Sequence, residues 1–342
     1  MEKLVYKTGS GATELFIGKS WFEIGDHIDP GNTIIISDSN IYSIYGGDFP
    51  ECRRIIIDPG EHTKSVATVE YIINQLLEKG CDRASFLLGI GGGVICDITG
   101  FVASVYMRGI DFGFISTSLL SQVDASTGGK NGVNIGINKN IIGCFSQPSF
   151  VICDPEMLKT LPEEEYISGL GELVKHAFIR DAGLLGFIEE NIELILIRDS
   201  NLLTRLISTS VKIKIDIVTS DEKERGIRRL LNFGHTIGHS VEIKLGMKHG
   251  LAVSYGMLLA AQISVELGMI DEKELGRIEA VLSNLRLLKN IPIELPDLFD
   301  IIARDKKVEK DRIFFVLLEG IGKGVIKEFN MVELAGLINN RR

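Results

Sequence analysis

Three of the six histidines in this chain fall within fifteen residues, His235 and His239 in GHTIGH and His249 in KHG. Spaced four apart, His235 and His239 share one face of a helix, with Asn232 a turn earlier on nearly the same face. Two imidazoles so placed are either structural or the start of a metal site. A catalytic zinc takes three protein ligands and keeps one position open, so three nearby histidines favour a site, and a carboxylate has to come from elsewhere. Glu172 in SGLGELVKHAF is a candidate, three residues before Lys175 in a stretch whose Leu170, Leu173, Val174 and Phe178 mark a buried helix. A solvated ion pair is the alternative; a buried Glu and Lys are costly unless a metal or ligand balances them, which favours a site.

Two further stretches carry chemistry. In SFLLGIGGGVICD an apolar strand runs into Gly89, Gly91, Gly92 and Gly93 and then a helix, so backbone N–H groups can meet a phosphate at the helix start. The spacing is not GxGxxG, because Val94 stands where the last glycine belongs, and a plain tight turn remains open. Asp97 is expected in the first turn of that helix, as a partner of its dipole or as a hydrogen-bond acceptor for a ligand. The stretch TGGKNGVNIGINKNIIGCF offers Lys130, Asn131, Asn134, Asn138, Lys139 and Asn140, donors suited to an oxyanion or polyol, although Asn and Gly also make ordinary turns.

The elements that must position these groups follow from periodicity. NTIIISDSN, RRIIIDPGEH, ASFLLGIGGG, DFGFISTS and SFVICDP read as strands alternating with helices such as SVATVEYIINQLLEKG, which implies an α/β half with a parallel sheet covered on both faces. Beyond Leu161 the period becomes helical, as in LLTRLISTSVKIKIDIVTSDEKE and GLAVSYGMLLAAQISVELGM, so an all-α second domain is expected. The boundary falls near DPEMLKTLP, dividing the chain into 1–158 and 159–342. A net charge of −9 argues against a nucleic-acid surface, so an anionic ligand must be met by a local basic cluster. The start lacks the pattern of a signal peptide and no long apolar span occurs, so the expectation is a cytoplasmic protein away from membranes. Cys52, Cys81, Cys96, Cys144 and Cys153 are widely spaced and read as reduced structural thiols.

The motifs GGGVICDITGF, YMRG, LLSQVDASTGGKNGVN, KNIIGCF, LKTLPEEE, GLGELVKHAF, SDEKERGIRRLLNFGHTIGH and DKK occur in one order along nearly the whole chain. Together they resemble the 3-dehydroquinate synthase family. The resemblance implies an NAD-binding α/β domain with a mostly parallel sheet joined to a helical metal- and substrate-binding domain, working as a homodimer. It implies Glu172, His235 and His249 as ligands of zinc or cobalt, and His239 as a residue near the substrate phosphate. Asp124, Lys130, Asn140, Lys175, Lys214, Arg228 and Asn232 match substrate positions, Arg108 matches an arginine that reaches a neighbouring subunit, and Lys306 of the DKK stretch is chosen for a last contact, with Lys307 as its alternative. Asp38, Asn40, Glu61, Lys64, Gly92, Gly93, Asp97, Thr117, Ser118, Lys139 and Thr160 match NAD-binding positions.

The family's reaction converts a seven-carbon keto-acid phosphate to dehydroquinate by transient oxidation, phosphate elimination, reduction, ring opening and intramolecular aldol closure. The resemblance thus implies a phosphate-eliminating carbon–oxygen lyase of the shikimate pathway. Related sugar phosphate cyclases and metal-dependent polyol dehydrogenases are the alternatives. The chain departs from the family's usual HGE at the third histidine, reading His249, Gly250 and Leu251, so a carboxylate expected to support the metal shell is absent there. Asn131 in GGKNG, the ISTS stretch and Ser146 in FSQP are further departures.

Overall fold

The computed structural model describes residues 1–136, 138–289, 308–309 and 312–339. The chain forms two compact units, Met1–Leu161 and Pro162–Arg342. The short helix Pro155–Thr160 completes the first, which carries the division a little past the expected 158.

The first unit runs through β1 (Glu2–Thr8), β2 (Gly11–Ile17), β3 (Thr33–Asp38), α1 (Ser39–Tyr45), β4 (Arg53–Ile57), α2 (Val66–Glu78), β5 (Phe86–Gly91), α3 (Gly93–Val105), β6 (Phe112–Ser116), β7 (Lys130–Ile135), β8 (Asn138–Phe145) and β9 (Phe150–Cys153). Seven strands form one sheet in the order β1-β2-β9-β6-β5-β3-β4, parallel except for the antiparallel pair of β1 and β2. Ile34, Ile35 and Ile36 are all fully buried, as expected of a parallel strand covered on both faces. On one face Trp21, Phe49, Leu88, Ile115 and Met157 belong to a single apolar cluster. The chain goes outward from β3 to β4 and then returns past β3 to β5, so the winding reverses between β3 and β5. At such a reversal the carboxyl ends of the strands leave a crevice for a ligand.

The TGGKNG stretch is not an open loop. It forms the antiparallel hairpin of β7 and β8, in which Gly132 faces Gly143, and α3 packs against β7. Asn131 is buried there and donates to the carbonyls of Gly129 and Ser146, at 3.1 and 2.9 Å, so this departure from the family pattern is a structural residue. All five cysteines are free thiols; Cys144 is half-buried and the others are buried. Burial raises each thiol above its ordinary value, which removes them from consideration as nucleophiles at neutral pH.

The second unit contains α4 (Glu163–Arg180), α5 (Ala182–Glu190), α6 (Ile192–Leu196), α7 (Ser200–Ser220), α8 (His235–Leu245), α9 (His249–Glu266) and α10 (Glu272–Asn284). It is mainly helical, but the expectation of an all-α domain left out a three-stranded antiparallel sheet of β10 (Val308–Glu309), β11 (Arg312–Leu318) and β12 (Gly324–Asn330). RIFFVLL is rich in aromatic and β-branched residues, and its sheet is tied to α9 where the Leu318 amide donates to Ser264 Oγ at 3.0 Å. Among the described residues no helix is long and apolar enough to cross a membrane.

Helix α4 is buried on every side from Tyr166 to Ile179, so the unit is packed around it. Helix α9 reaches it through Gly250, where a methyl group would overlap the Ser168 carbonyl, and the Gly250 amide donates to Ser168 Oγ at 2.9 Å. Replacing Gly250 by Ala should therefore lower the unfolding free energy by roughly 2 kcal/mol or more, the cost of overpacking against a backbone. Gly276→Ala, at an exposed position in α10 with open space around it, should instead raise it by about 0.5–1 kcal/mol. Chemical denaturation of both variants checks the contrast; equal effects would refute it.

Candidate functional site

Glu172 and Lys175 lie one turn apart on α4, 0% and 1% exposed, and form an ion pair. Burying two charges costs several kcal/mol each unless attraction and further polar partners offset it. The further partners of Glu172 come from α8 and α9. Its Oε1 lies 3.6 Å from Nε2 of His235 and 3.4 Å from Nε2 of His249, the first residues of those two helices. Donors about 2.1 Å from a tetrahedral ion stand about 3.4 Å apart. The spacing of these three atoms and their N/N/O chemistry therefore fit a divalent metal such as zinc.

The orientation of each imidazole has a local cause. His235 Nδ1 lies 3.1 Å from the carbonyl of Phe233, which can only accept, so Nδ1 carries the proton and Nε2 is left for the site. His249 Nδ1 lies 3.1 Å from Glu242 Oε2 and is held in the same sense. Helix α8 begins after Gly234 at φ +78°, a left-handed conformation that permits the sharp entry, and a side chain there would strike the Val253 carbonyl of α9. Asn232 therefore does not precede His235 on one helix. It ends the 3-10 segment Ile227–Asn232 and donates to Glu224, itself at φ +58°. His239 stays close to both other imidazoles, with ring centroids 5.2 Å from His235 and 5.9 Å from His249.

Arg228 is 2% exposed in the turn that precedes α8. Asp221 builds that turn by accepting from the amides of Arg225, Gly226 and Arg228 at 3.0, 2.6 and 3.1 Å, and Arg228 donates to the Glu222 carbonyl. Burial opposes ionisation of Asp221, but these amides outweigh it and hold its carboxyl below the ordinary value. Lys214, on α7, is buried. Lys306 and Lys307 lie outside the described residues. The sequence reading missed Asp221, Glu224 and Glu242. Only Glu242 left a local signal: seven residues after His235 and three after His239, it shares their helix face.

In the first unit, most of the residues matched to NAD follow the carboxyl ends of the parallel strands, and Lys139 lies on the β7–β8 hairpin. Gly92 caps α3 beside β5, and a side chain on it would press on Ser118, which follows β6 together with buried Thr117. Asp97 lies in the second turn of α3, not the first, and pairs with Lys64, 6% exposed, which follows β4. Asp38 ends β3 and caps α1 by accepting from Asn40 and Ile41 amides at 2.9 and 3.0 Å; burial outweighs these bonds and raises its carboxyl. Thr160 Oγ1 lies 2.6 Å from the Tyr45 hydroxyl.

The hairpin is tied to this edge by Asn134, whose amide N–H donates to the Lys64 carbonyl at 2.8 Å and whose Nδ2 donates to Glu61 Oε1 at 2.8 Å. Asn134 Oδ1 also accepts from the amide of Asn140, itself at φ +53°. Lys130, Lys139 and Asn140 are exposed along the hairpin, and Asp124 is half-buried in the turn Ser121–Ala125 before it. Arg108 is exposed at φ +70°, after Met107 at φ +48°. Two consecutive left-handed side-chain residues cost on the order of 1–3 kcal/mol each, strain that is kept where Arg108 is displayed.

Known proteins resemble this chain along most of its length. The model of the 3-dehydroquinate synthase N-terminal domain matches residues 54–168, and that of the C-terminal domain matches 169–308. A 3-dehydroquinate synthase of Alkaliphilus metalliredigens (strain QYMF) is 41% identical over 340 residues, covering 96% of this chain and 95% of its own. The solved 2-epi-5-epi-valiolone synthase of Streptomyces hygroscopicus subsp. jinggangensis 5008, with NAD+ and Zn2+ bound, is 27% identical with a TM-score of 0.88, covering 99% of this chain and 97% of its own. A 2-deoxy-scyllo-inosose synthase with carbaglucose-6-phosphate, NAD+ and Co2+ shares the fold at 23% identity and a TM-score of 0.88, with both chains covered in full.

The metal-free site has its own pH signature. Burial alone lowers the His249 pKa, but hydrogen bonds and charge from Glu172 and Glu242 overcome it and raise the value to about 9. A folded value above the unfolded 6.5 means stability that is fully present below about pH 6.5 and is lost as pH rises through about 9. Denaturation of metal-stripped protein across that window should show this loss, and His249→Gln should remove it. An identical pH dependence in the two proteins would refute the assignment.

Proposed function

The chain belongs to the 3-dehydroquinate synthase family, and we propose that it converts 3-deoxy-D-arabino-heptulosonate 7-phosphate to 3-dehydroquinate and phosphate. The observation that carries this reading is the convergence of Glu172, His235 and His249 beside buried Lys175. Glu172, His235 and His249 hold a divalent metal, zinc or cobalt, and the strand ends of the first unit hold NAD. When bound, the two cofactors supply reversible oxidation of a secondary alcohol and polarisation of its oxygens, which acidifies the neighbouring C–H.

The chain's own residues bind and orient. Lys175 and Lys214 place ammonium groups at substrate hydroxyls, where they stabilise developing negative charge. Arg228, held in its turn through Asp221, presents a planar fork that suits the substrate carboxylate. Lys130, Asn140, Asn232 and His239 match the family's phosphate positions, Asp124 and Lys306 match further substrate positions, and the phosphate's own oxygens accept the proton during elimination. Asp38, Asn40, Glu61, Lys64, Gly92, Gly93, Asp97, Thr117, Ser118, Lys139 and Thr160 bind NAD, with Lys64 and Asp97 acting as a pair. The enzyme acts as a carbon–oxygen lyase of the shikimate pathway in the cytoplasm. It works as a homodimer in which exposed Arg108 reaches the neighbouring subunit.

Incubation with NAD, zinc and the heptulosonate phosphate should release stoichiometric phosphate without lasting NADH absorbance. Lasting NADH would point to a dehydrogenase, and phosphate release only from another sugar phosphate would point to a different cyclase. His235→Ala should lose bound metal. His239→Ala should keep it while kcat/KM falls on the order of a hundredfold, the usual cost of one donor to a charged group. Equal metal loss in the two variants, read by metal analysis, would overturn the division of labour between them.

A further inference from the structure

Leu251 stands where the family's usual pattern has a glutamate, and it is 6% exposed in the apolar packing of α9. No carboxylate reaches the metal ligands from that position. The structure supplies one from another helix. Glu242 on α8, with its side chain 13% exposed, places Oε2 3.1 Å from Nδ1 of His249, while Nε2 of the same ring lies 3.4 Å from Glu172 Oε1. His249 is the first residue of α9, entered through Gly246 at φ +64° and an N-cap without a side-chain hydrogen bond. The contrast with His235 is informative, because that ring is oriented by a neutral carbonyl two residues away.

We propose that Glu242 is a positioning residue of the metal centre, fixing the His249 ring with Nε2 toward Glu172 and increasing its strength as a ligand. An ionised acceptor at Nδ1 does both, since it locks the tautomer and donates electron density through the ring. The assignment rests on the metal reading of Glu172, His235 and His249 and adds a fourth residue, seven positions after His235 on the same face of α8. It gives the metal shell a carboxylate that Leu251 cannot supply.

The test is metal binding by the full chain after stripping, without substrate. Glu242→Gln should weaken the zinc Kd about 10- to 100-fold in competition with a chromophoric chelator, and should shift the visible bands of the cobalt-substituted protein. Affinity for NAD, read by fluorescence, should stay unchanged. Glu242→Asp keeps the charge but withdraws it by about one bond length (~1.5 Å), so its zinc affinity should fall between the two. If Glu242→Gln does not fold, the Asp variant decides alone. Zinc affinity and cobalt spectrum equal to the parent's in the decisive variant would overturn the proposal. So would metal loss as complete as in His249→Ala, because Glu242 would then be a ligand itself, as its proximity to His239 and His249 would allow. Turnover is not measured here, so either result leaves the proposed reaction standing or falling on the phosphate assay.

Discussion

The carboxylate of Glu172 has no exposed surface, and the second unit is arranged around that fact. Removing such a group from water costs several kcal/mol, and its geometry explains how the cost is met. Lys175 covers one oxygen from the same helix, and the imidazoles of His235 and His249 approach the other from two more. A cation bound among these groups would complete the compensation. The Glu–Lys pair is thus better understood as half of a binding site than as a fold-stabilising salt bridge.

Bringing three helices to one oxygen constrains their backbones. Gly250 lets α9 close on α4, and Gly234 both turns the chain into α8 and leaves room for the Val253 carbonyl of α9. The first unit would meet NAD by different means. There the sheet exposes strand ends, and the features at hand are the amide-rich start of α3, the Lys64–Asp97 pair and the Asp38 cap. Side-chain ligation needs close helices; backbone recognition needs open strand ends.

Much of this was legible because it is local. The strands β3, β4, β5, β6 and β9, the helices α2, α7 and α9, and the shared face of His235 and His239 all follow from spacing within a few residues. What escaped depends on distant partners or on one backbone angle. The Asn- and Gly-rich stretch 127–145 has the composition of a loop, and it becomes a hairpin through pairing of β7 with β8 and packing on α3. Strand β11 is an apolar run whose length suits either a strand or a buried helix, and its neighbours β10 and β12 decide. Asp97 meets Lys64 across 33 residues of sequence. Asn232 leaves the helix of His235 because Gly234 is left-handed. The separate roles of His235 and His239 come from likeness to a family, and neither spacing nor ring distance divides them.

Asn134 gives the first unit a mechanical property. A single residue bonds the Lys64 carbonyl, the Glu61 carboxylate and the Asn140 amide. The turn after β4 and the two arms of the hairpin are thereby coupled as one lever, with Lys64 and Asp97 at one end and Lys130 and Asn140 along the other. A displacement of that turn would reach the hairpin through these three hydrogen bonds without passing through the sheet.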